Sequence, residues 1–133
     1  MKFKIDHIGY LTGDIEQTSK EFCRLGYEAG GVILDNVQKT KICFLSRENE
    51  VRIELVEPYK DNKTMWKTLQ KYGSTSPYHV CYEVDNILTV HEQMINEGWF
   101  ELFEPVEAPA LGNRRICYYW KDVIGFIELV NKY

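Results

Sequence analysis

The sequence predicts an α+β fold made of two tandem βαβββ modules whose strands form a mixed, cup-shaped sheet, and three observations predict it. Ile53-Glu54-Leu55-Val56 recurs verbatim as Ile127-Glu128-Leu129-Val130, 74 residues later. Ile42-Cys43-Phe44 is echoed at that same interval by Ile116-Cys117-Tyr118. The stretch Ile5-Asp6-His7-Ile8-Gly9-Tyr10 has its echo in Pro77-Tyr78-His79-Val80-Cys81-Tyr82, with the two histidines 72 residues apart. Three separate segments repeating in nearly constant register indicate a duplicated supersecondary unit, because solenoid repeats have periods of about 20–50 residues.

Each element of the module has a local reason. A strand is expected at about residues 3–11, rich in the large apolar residues that suit a pleated surface. Asp14 then caps a helix reaching Leu25, with Ile15, Phe22 and Leu25 as its apolar stripe and Gly26 as its stop. After a break at Gly30-Gly31 come strands at about 31–36 and 39–46, a polar turn at 47–50, and the first Ile-Glu-Leu-Val strand. Pro58 closes module one, at about residues 1–60. A short helix carrying Met65, Trp66 and Leu69 and the run Gly73-Ser74-Thr75-Ser76-Pro77 form a linker over about 61–76. Module two, about 77–133, restarts with a strand at 78–84 and a helix capped by Asp85 and stopped by Gly98. A strand near 99–104, a Pro/Ala/Gly-rich loop over 105–112, a strand at 114–120, a turn at 121–125 and the second Ile-Glu-Leu-Val follow. With 133 residues the chain suits one domain with a full core.

Composition narrows the partners. A formal net charge of −4 argues against nucleic acid or an anionic membrane surface. No apolar run approaches the roughly 18 residues of a membrane helix. Met-Lys-Phe-Lys leads straight into a strand without a charged-then-apolar leader, so a cytoplasmic location is expected. Cys23, Cys43, Cys81 and Cys117 are then expected as free thiols, and without a Cys-x-x-Cys spacing a thiolate zinc site is not expected.

The repeated phrases carry the chemistry. An ionised carboxylate in the middle of an apolar strand is costly unless it is paired, and the chain places two there, Glu54 and Glu128, with His7 and His79 as candidate partners. Strand side chains alternate between faces. If Ile8, Tyr10, Ile42, Phe44, Ile53, Leu55 and their repeats pack on the helices, the opposite face carries His7, Glu54, His79 and Glu128 together with Lys41, Cys43, Arg52, Cys81, Arg115, Cys117 and Tyr119. Two imidazoles and two carboxylates suit one divalent transition metal, with Zn, Ni, Co, Mn and Fe all compatible. Lys41, Arg52 and Arg115 on that face point to an anionic substrate such as a carboxylate or a thioester of coenzyme A. Asn113 and Arg114, at a loop–strand junction, are further candidates for substrate contact. His91 has no counterpart in the first half and is expected on an exposed helix face.

Ile5-Asp6-His7-Ile8, Leu69 to Gly73, Glu83-Val84-Asp85-Asn86-Ile87 and Gly112-Asn113-Arg114, with the His/Glu/His/Glu set, resemble the vicinal oxygen chelate superfamily of glyoxalases, bleomycin resistance proteins and dioxygenases. The resemblance spans nearly the whole chain and is nearest to methylmalonyl-CoA epimerase and to glyoxalase I, the lactoylglutathione lyase. It implies the glyoxalase-like fold, with metal ligands from the first and last strands of each module at His7, Glu54, His79 and Glu128. It further implies a metal-dependent isomerase or lyase moving a proton next to a carbonyl through a stabilised enolate, with Glu128 first and Glu54 second as the base. Epimerase chemistry on a methylmalonyl-CoA-like substrate is the leading expectation; glyoxalase-type isomerisation of a hemithioacetal, or a small-molecule binding or resistance protein, are the alternatives. The chain departs from the epimerase pattern in having Tyr78 before His79, and Lys41 where a second carboxylate is usual. Exposed sheet edges leave a homodimer open.

Overall fold

The computed structural model describes residues 3–133 and is mixed α+β, with three helices and nine strands among the described residues. In chain order these are β1 (Lys4–Leu11), α1 (Ile15–Arg24), β2 (Glu28–Asp35), β3 (Thr40–Ser46), β4 (Arg52–Pro58), α2 (Lys63–Lys71), β5 (Ser76–Val84), α3 (Ile87–Asn96), β6 (Phe100–Glu101), β7 (Val106–Ala108), β8 (Arg114–Lys121) and β9 (Gly125–Asn131). The chain forms two compact units, Ile8–Tyr78 and the combination of the chain up to His7 with His79–Tyr133.

In the unit Ile8–Tyr78 the strands lie in the order β2-β3-β4-β1, with β3 antiparallel to both β2 and β4. The α1 N-terminus is satisfied as its sequence predicts, Asp14 accepting from the Gln17 amide at 3.1 Å, while Glu57 of β4 accepts from the Ile15 amide at 2.9 Å. At the other end Gly26 adopts φ +96, the left-handed conformation that ends a helix without a Cβ clash. α1 lays Ile15 on Cys43, Leu45, Ile53 and Leu55, with Phe22 and Tyr27 stacked edge-on at 5.5 Å beside them. A second cluster joins Leu11 and Val56 to Leu69 and Trp66 of α2, the Trp66 indole donating to the Tyr59 carbonyl at 2.9 Å. Full burial of one such aliphatic side chain contributes about 1.5–3 kcal/mol.

In the other unit β9 lies between β5, which it joins in parallel, and β8, which it joins antiparallel; β6 and β7 both pair with β8. α3 covers Val84, Cys117, Tyr119, Ile127 and Leu129 with Ile87 and Met94. Its cap is Asn86 rather than Asp85: Asn86 is extended at φ −143 and accepts from the Leu88 and Thr89 amides at 3.1 and 3.3 Å. Asp85 lies one residue outside the helix and pairs with Lys132 at 3.1 Å.

Other differences from the sequence expectation have equally local causes. β2 starts at Glu28 and runs through Gly30-Gly31, where a register shift between Ala29 and Val32 absorbs the irregularity that the glycines permit. The expected strand over 99–104 contracts to two residues. Part of the expected loop is instead β7, because Val106, Glu107 and Ala108 find partners in Ile116, Arg115 and Arg114, followed by a single 3₁₀ turn at Pro109–Leu111.

Register also corrects the expected faces of β3 and β8. Phe44 lies opposite Glu54 and Cys43 opposite Leu55; likewise Tyr118 lies opposite Glu128 and Cys117 opposite Leu129. Residues directly opposite share a face, so Ile42, Phe44, Ile116 and Tyr118 share the carboxylate face, while Lys41, Cys43, Arg115, Cys117 and Tyr119 lie on the helix side. These strands are apolar on both faces, so alternation along the sequence held no information about which face was which.

Candidate metal centre

Three expected ligands meet inside one unit. β1 delivers His7, β5 delivers His79, and β9 delivers Glu128, which the parallel β5–β9 register sets beside Cys81. All three are buried, at 0, 3 and 2 % exposure. The Glu128 Oε2 is 3.2 Å from His7 Nε2 and 2.9 Å from His79 Nε2, and the two Nε2 atoms are 3.4 Å apart, with the rings edge-on at 5.5 Å.

The surroundings of His7 fix its chemistry. Its Nδ1–H donates to Asp6 Oδ2 at 2.7 Å, which turns Nε2 towards the Glu128 carboxylate at 3.2 Å. Asp6 is itself held by a buried arginine. The Arg114 guanidinium lies 3.7 Å from Asp6 and 3.3 Å from Glu83, donates to the Leu111 carbonyl at 2.9 Å, and covers the Tyr133 ring at 4.2 Å. Arg114 therefore orients a ligand's partner, and its place is inside the protein, 9 % exposed, rather than at a substrate surface.

Burial pushes the Glu128 carboxyl up, but the hydrogen bonds and charges of His7 and His79 outweigh it and hold the group well below the usual carboxylate range. The Cys81 thiol, by contrast, is pushed well above its ordinary value, first by burial and then by the Glu128 charge, so it stands beside the centre as a neutral thiol.

The donor set fits a divalent cation. A shared cation would take the place of the protons that now join the two imidazoles to the carboxylate, turning hydrogen bonds into coordination. Imidazole and carboxylate ligands at bond lengths near 2.0–2.1 Å lie about 3.3–3.4 Å apart around a tetrahedral ion, close to the separations of the three atoms here. Tyr118 stacks edge-on to His79 at 5.1 Å and Phe103 packs on Tyr118 at 5.9 Å, giving the centre an aromatic wall.

Glu54, in the unit Ile8–Tyr78, is 2 % exposed in the middle of β4. The Arg52 guanidinium covers the Phe44 ring at 4.3 Å, on the face that Glu54 shares. Lys41, on the other face, pairs with Glu57 at 3.3 Å. Arg115 is exposed opposite Glu107. Asn113, at φ +59, forms the turn into β8, its amide donating to the Ala108 carbonyl. His91 is not the free surface residue expected: its Nδ1 is 2.6 Å from the Tyr119 hydroxyl and its Nε2 is 3.0 Å from Glu101. The Asp6–Arg114 support went unread in the sequence, although a carboxylate adjoining a candidate ligand histidine was its visible signal.

Comparison with known proteins bears on the family and the fold. The sequence profile of the Glyoxalase/Bleomycin resistance protein/Dioxygenase superfamily matches residues 6–118. An ethylmalonyl-CoA/methylmalonyl-CoA epimerase of Cereibacter sphaeroides is 24 % identical over 96 residues, 71 % of each chain. The crystal structure of methylmalonyl-CoA epimerase from Mycobacterium tuberculosis superposes with a TM-score of 0.84 at 21 % identity, over 98 % of this chain and 88 % of that one. A methylmalonyl-CoA epimerase in complex with methylmalonyl-CoA and ammonium gives 0.85 at 21 % identity, over 99 and 96 %. No helix among the described residues is long and apolar enough to cross a membrane.

Proposed function

We propose, since the chain belongs to the Glyoxalase/Bleomycin resistance protein/Dioxygenase superfamily, that it is an epimerase acting next to the thioester carbonyl of a methylmalonyl-CoA-like substrate. The observation that carries this reading is the buried convergence of His7, His79 and Glu128, with the His7 tautomer set by Asp6. Glu54 is the proposed fourth ligand, since it holds in its repeat the position that Glu128 holds in the other. The epimerase relatives supply the substrate class.

His7, His79, Glu54 and Glu128 would hold one divalent cation, of which Zn, Ni, Co and Mn all suit the ligands. Such a cation supplies Lewis-acid stabilisation of the negative charge that develops on a carbonyl oxygen when the neighbouring carbon loses a proton. The chain's own part is proton carriage. The register removes Lys41 from the ligand face and leaves Ile42 and Phe44 there, so β3 offers no further carboxylate; Glu54 and Glu128 are the proposed acid–base pair. One removes the proton and the other returns it from the opposite side, which inverts the carbon. Tyr118 and Phe103 exclude water from the Glu128 side, and Arg52 is the proposed cation for a substrate carboxylate. The earlier candidates Lys41 and Arg115 have no part in this arrangement.

The test is turnover by the metal-loaded protein of one methylmalonyl-CoA epimer, followed against the hemithioacetal of methylglyoxal and a thiol. Interconversion of the CoA epimers without reaction of the hemithioacetal is expected. Reaction of the hemithioacetal alone would replace this reading with the glyoxalase one.

A further inference from the structure

A second set of ligand-type side chains lies in the same unit as His7, His79 and Glu128, on the α3 side of β8. His91 comes from α3, Glu101 from β6 and Cys117 from β8, and one donor atom of each lies within 4.8 Å of the other two. The pairing of Glu101 with Tyr119 and of Cys117 with Leu129 puts both on that side, away from Tyr118 and Glu128.

The polar geometry points to a shared ligand. His91 Nε2 and Glu101 Oε2 pair at 3.0 Å, and that oxygen is buried without a hydrogen bond, so both atoms are close enough to bind one ion. His91 Nδ1 is 2.6 Å from the Tyr119 hydroxyl. With Nδ1–H donating to Tyr119, the Nε2 lone pair is free to coordinate. Burial pushes the Cys117 thiol up to about 11, while a hydrogen bond with Tyr119 acts in the opposite direction and favours the thiolate. The thiol now donates to the Phe103 carbonyl at 3.0 Å.

We propose that His91, Glu101 and Cys117 form a second, structural metal site for a zinc-type divalent cation, with Tyr119 holding the histidine tautomer and water completing the shell. A thiolate, an imidazole and a carboxylate suit such a borderline-soft ion, and their two negative charges neutralise it. Binding removes the Cys117 proton to solvent, forms the sulfur–metal bond and gives up the hydrogen bond to Phe103. The His91 and Glu101 side chains are 19 and 38 % exposed, which gives the ion a way in. Once bound it ties α3 to the short β6 and to β8.

Titration of the metal-free full chain with Co²⁺ tests this, because a thiolate ligand produces a near-ultraviolet charge-transfer band that imidazole and carboxylate do not. Two equivalents are expected, one of them with the band. Cys117→Ser, checked for folding by circular dichroism, loses the band and one equivalent, whereas His79→Ala loses the other equivalent and keeps the band. Should Cys117→Ser not fold, Glu101→Gln, at a partly exposed position, serves instead and weakens the band-forming equivalent at least tenfold. Absence of the band in the wild-type chain, its persistence in folded Cys117→Ser, or an unchanged affinity in Glu101→Gln overturns the proposal. Loss of the centre at His79 leaves this result untouched, so the two sites fail separately.

Discussion

The two repeats carry the same tetrapeptide strand and differ in what they pack beneath it. In the first, α1 meets a cluster of Ile15, Cys43, Leu45, Ile53 and Leu55, with Phe22 and Tyr27 at its margin. In the second, the positions 74 residues on from Cys43 and Leu45 are Cys117 and Tyr119, and the Tyr119 hydroxyl brings a histidine and a glutamate into the equivalent layer. On the carboxylate faces the asymmetry is of another kind: β4 begins with Arg52 over Phe44, whereas the equivalent residue of β9 is Phe126, stacked on Trp120 at 4.7 Å. The glutamates repeat because the fold sets them at one place in each module. Arg52, His91 and Tyr119 do not repeat, and each makes contacts that its counterpart in the other half does not.

The comparison breaks most severely at the ligands. His79→Ala is expected to weaken retention of the ion at the buried centre by more than about a hundredfold, exceeding the 10–100-fold typical of a lost supporting partner; elemental analysis after dialysis against a chelator reads it. Where the repeats are alike, their cores should respond alike. Leu55 and Leu129 are both fully buried, and Leu55→Ala and Leu129→Ala should each cost about 2–5 kcal/mol in urea unfolding of the metal-free chain. A much smaller cost at Leu129 would show that the polar layer under β9 had already loosened that core.

A smaller effect belongs to Asp6. Removing the acceptor of the His7 Nδ1 proton in Asp6→Ala should lower metal affinity about 10–100-fold, and nitrogen NMR of His7 should show the tautomer mixing that the wild type lacks. Asp6→Asn, which keeps an acceptor oxygen, should recover most of both. The smallest effect is alkaline. Cys117 ionises near its ordinary 9.0 once unfolded and only at about 11 when folded, so between those values the folded metal-free chain holds the extra proton. Stability from this group is intact below pH 9 and falls as pH rises towards 11; the urea midpoint should drop across that window, and less so in Cys117→Ser.

The sequence made the repeat, the helices and the three residues that converge, His7, His79 and Glu128, legible because each rests on a local pattern: a duplicated phrase, a cap followed by an apolar stripe, a charge inside an apolar run. Faces were harder. Ile42, Phe44, Ile116 and Tyr118 lie on the carboxylate side because of inter-strand register, which strands buried on both faces do not encode in alternation. β7 stayed hidden in a Pro/Ala-rich stretch because its pairing comes from β8 rather than from its own propensity. His91 read as a solitary surface histidine since its partners, Tyr119 and Glu101, come from two other elements.

In the proposed epimerisation the two repeated carboxylates share one proton transfer. The most direct measurement follows a single epimer of methylmalonyl-CoA in deuterated water with the metal-loaded wild type, Glu54→Gln and Glu128→Gln, each shown to retain its ion. The wild type should invert the centre and place deuterium in the product epimer, while each variant should lose inversion by at least about a thousandfold, of the order that a missing acid–base group removes, and retain at most exchange in one epimer. Inversion at the wild-type rate in a metal-loaded variant would contradict the claim.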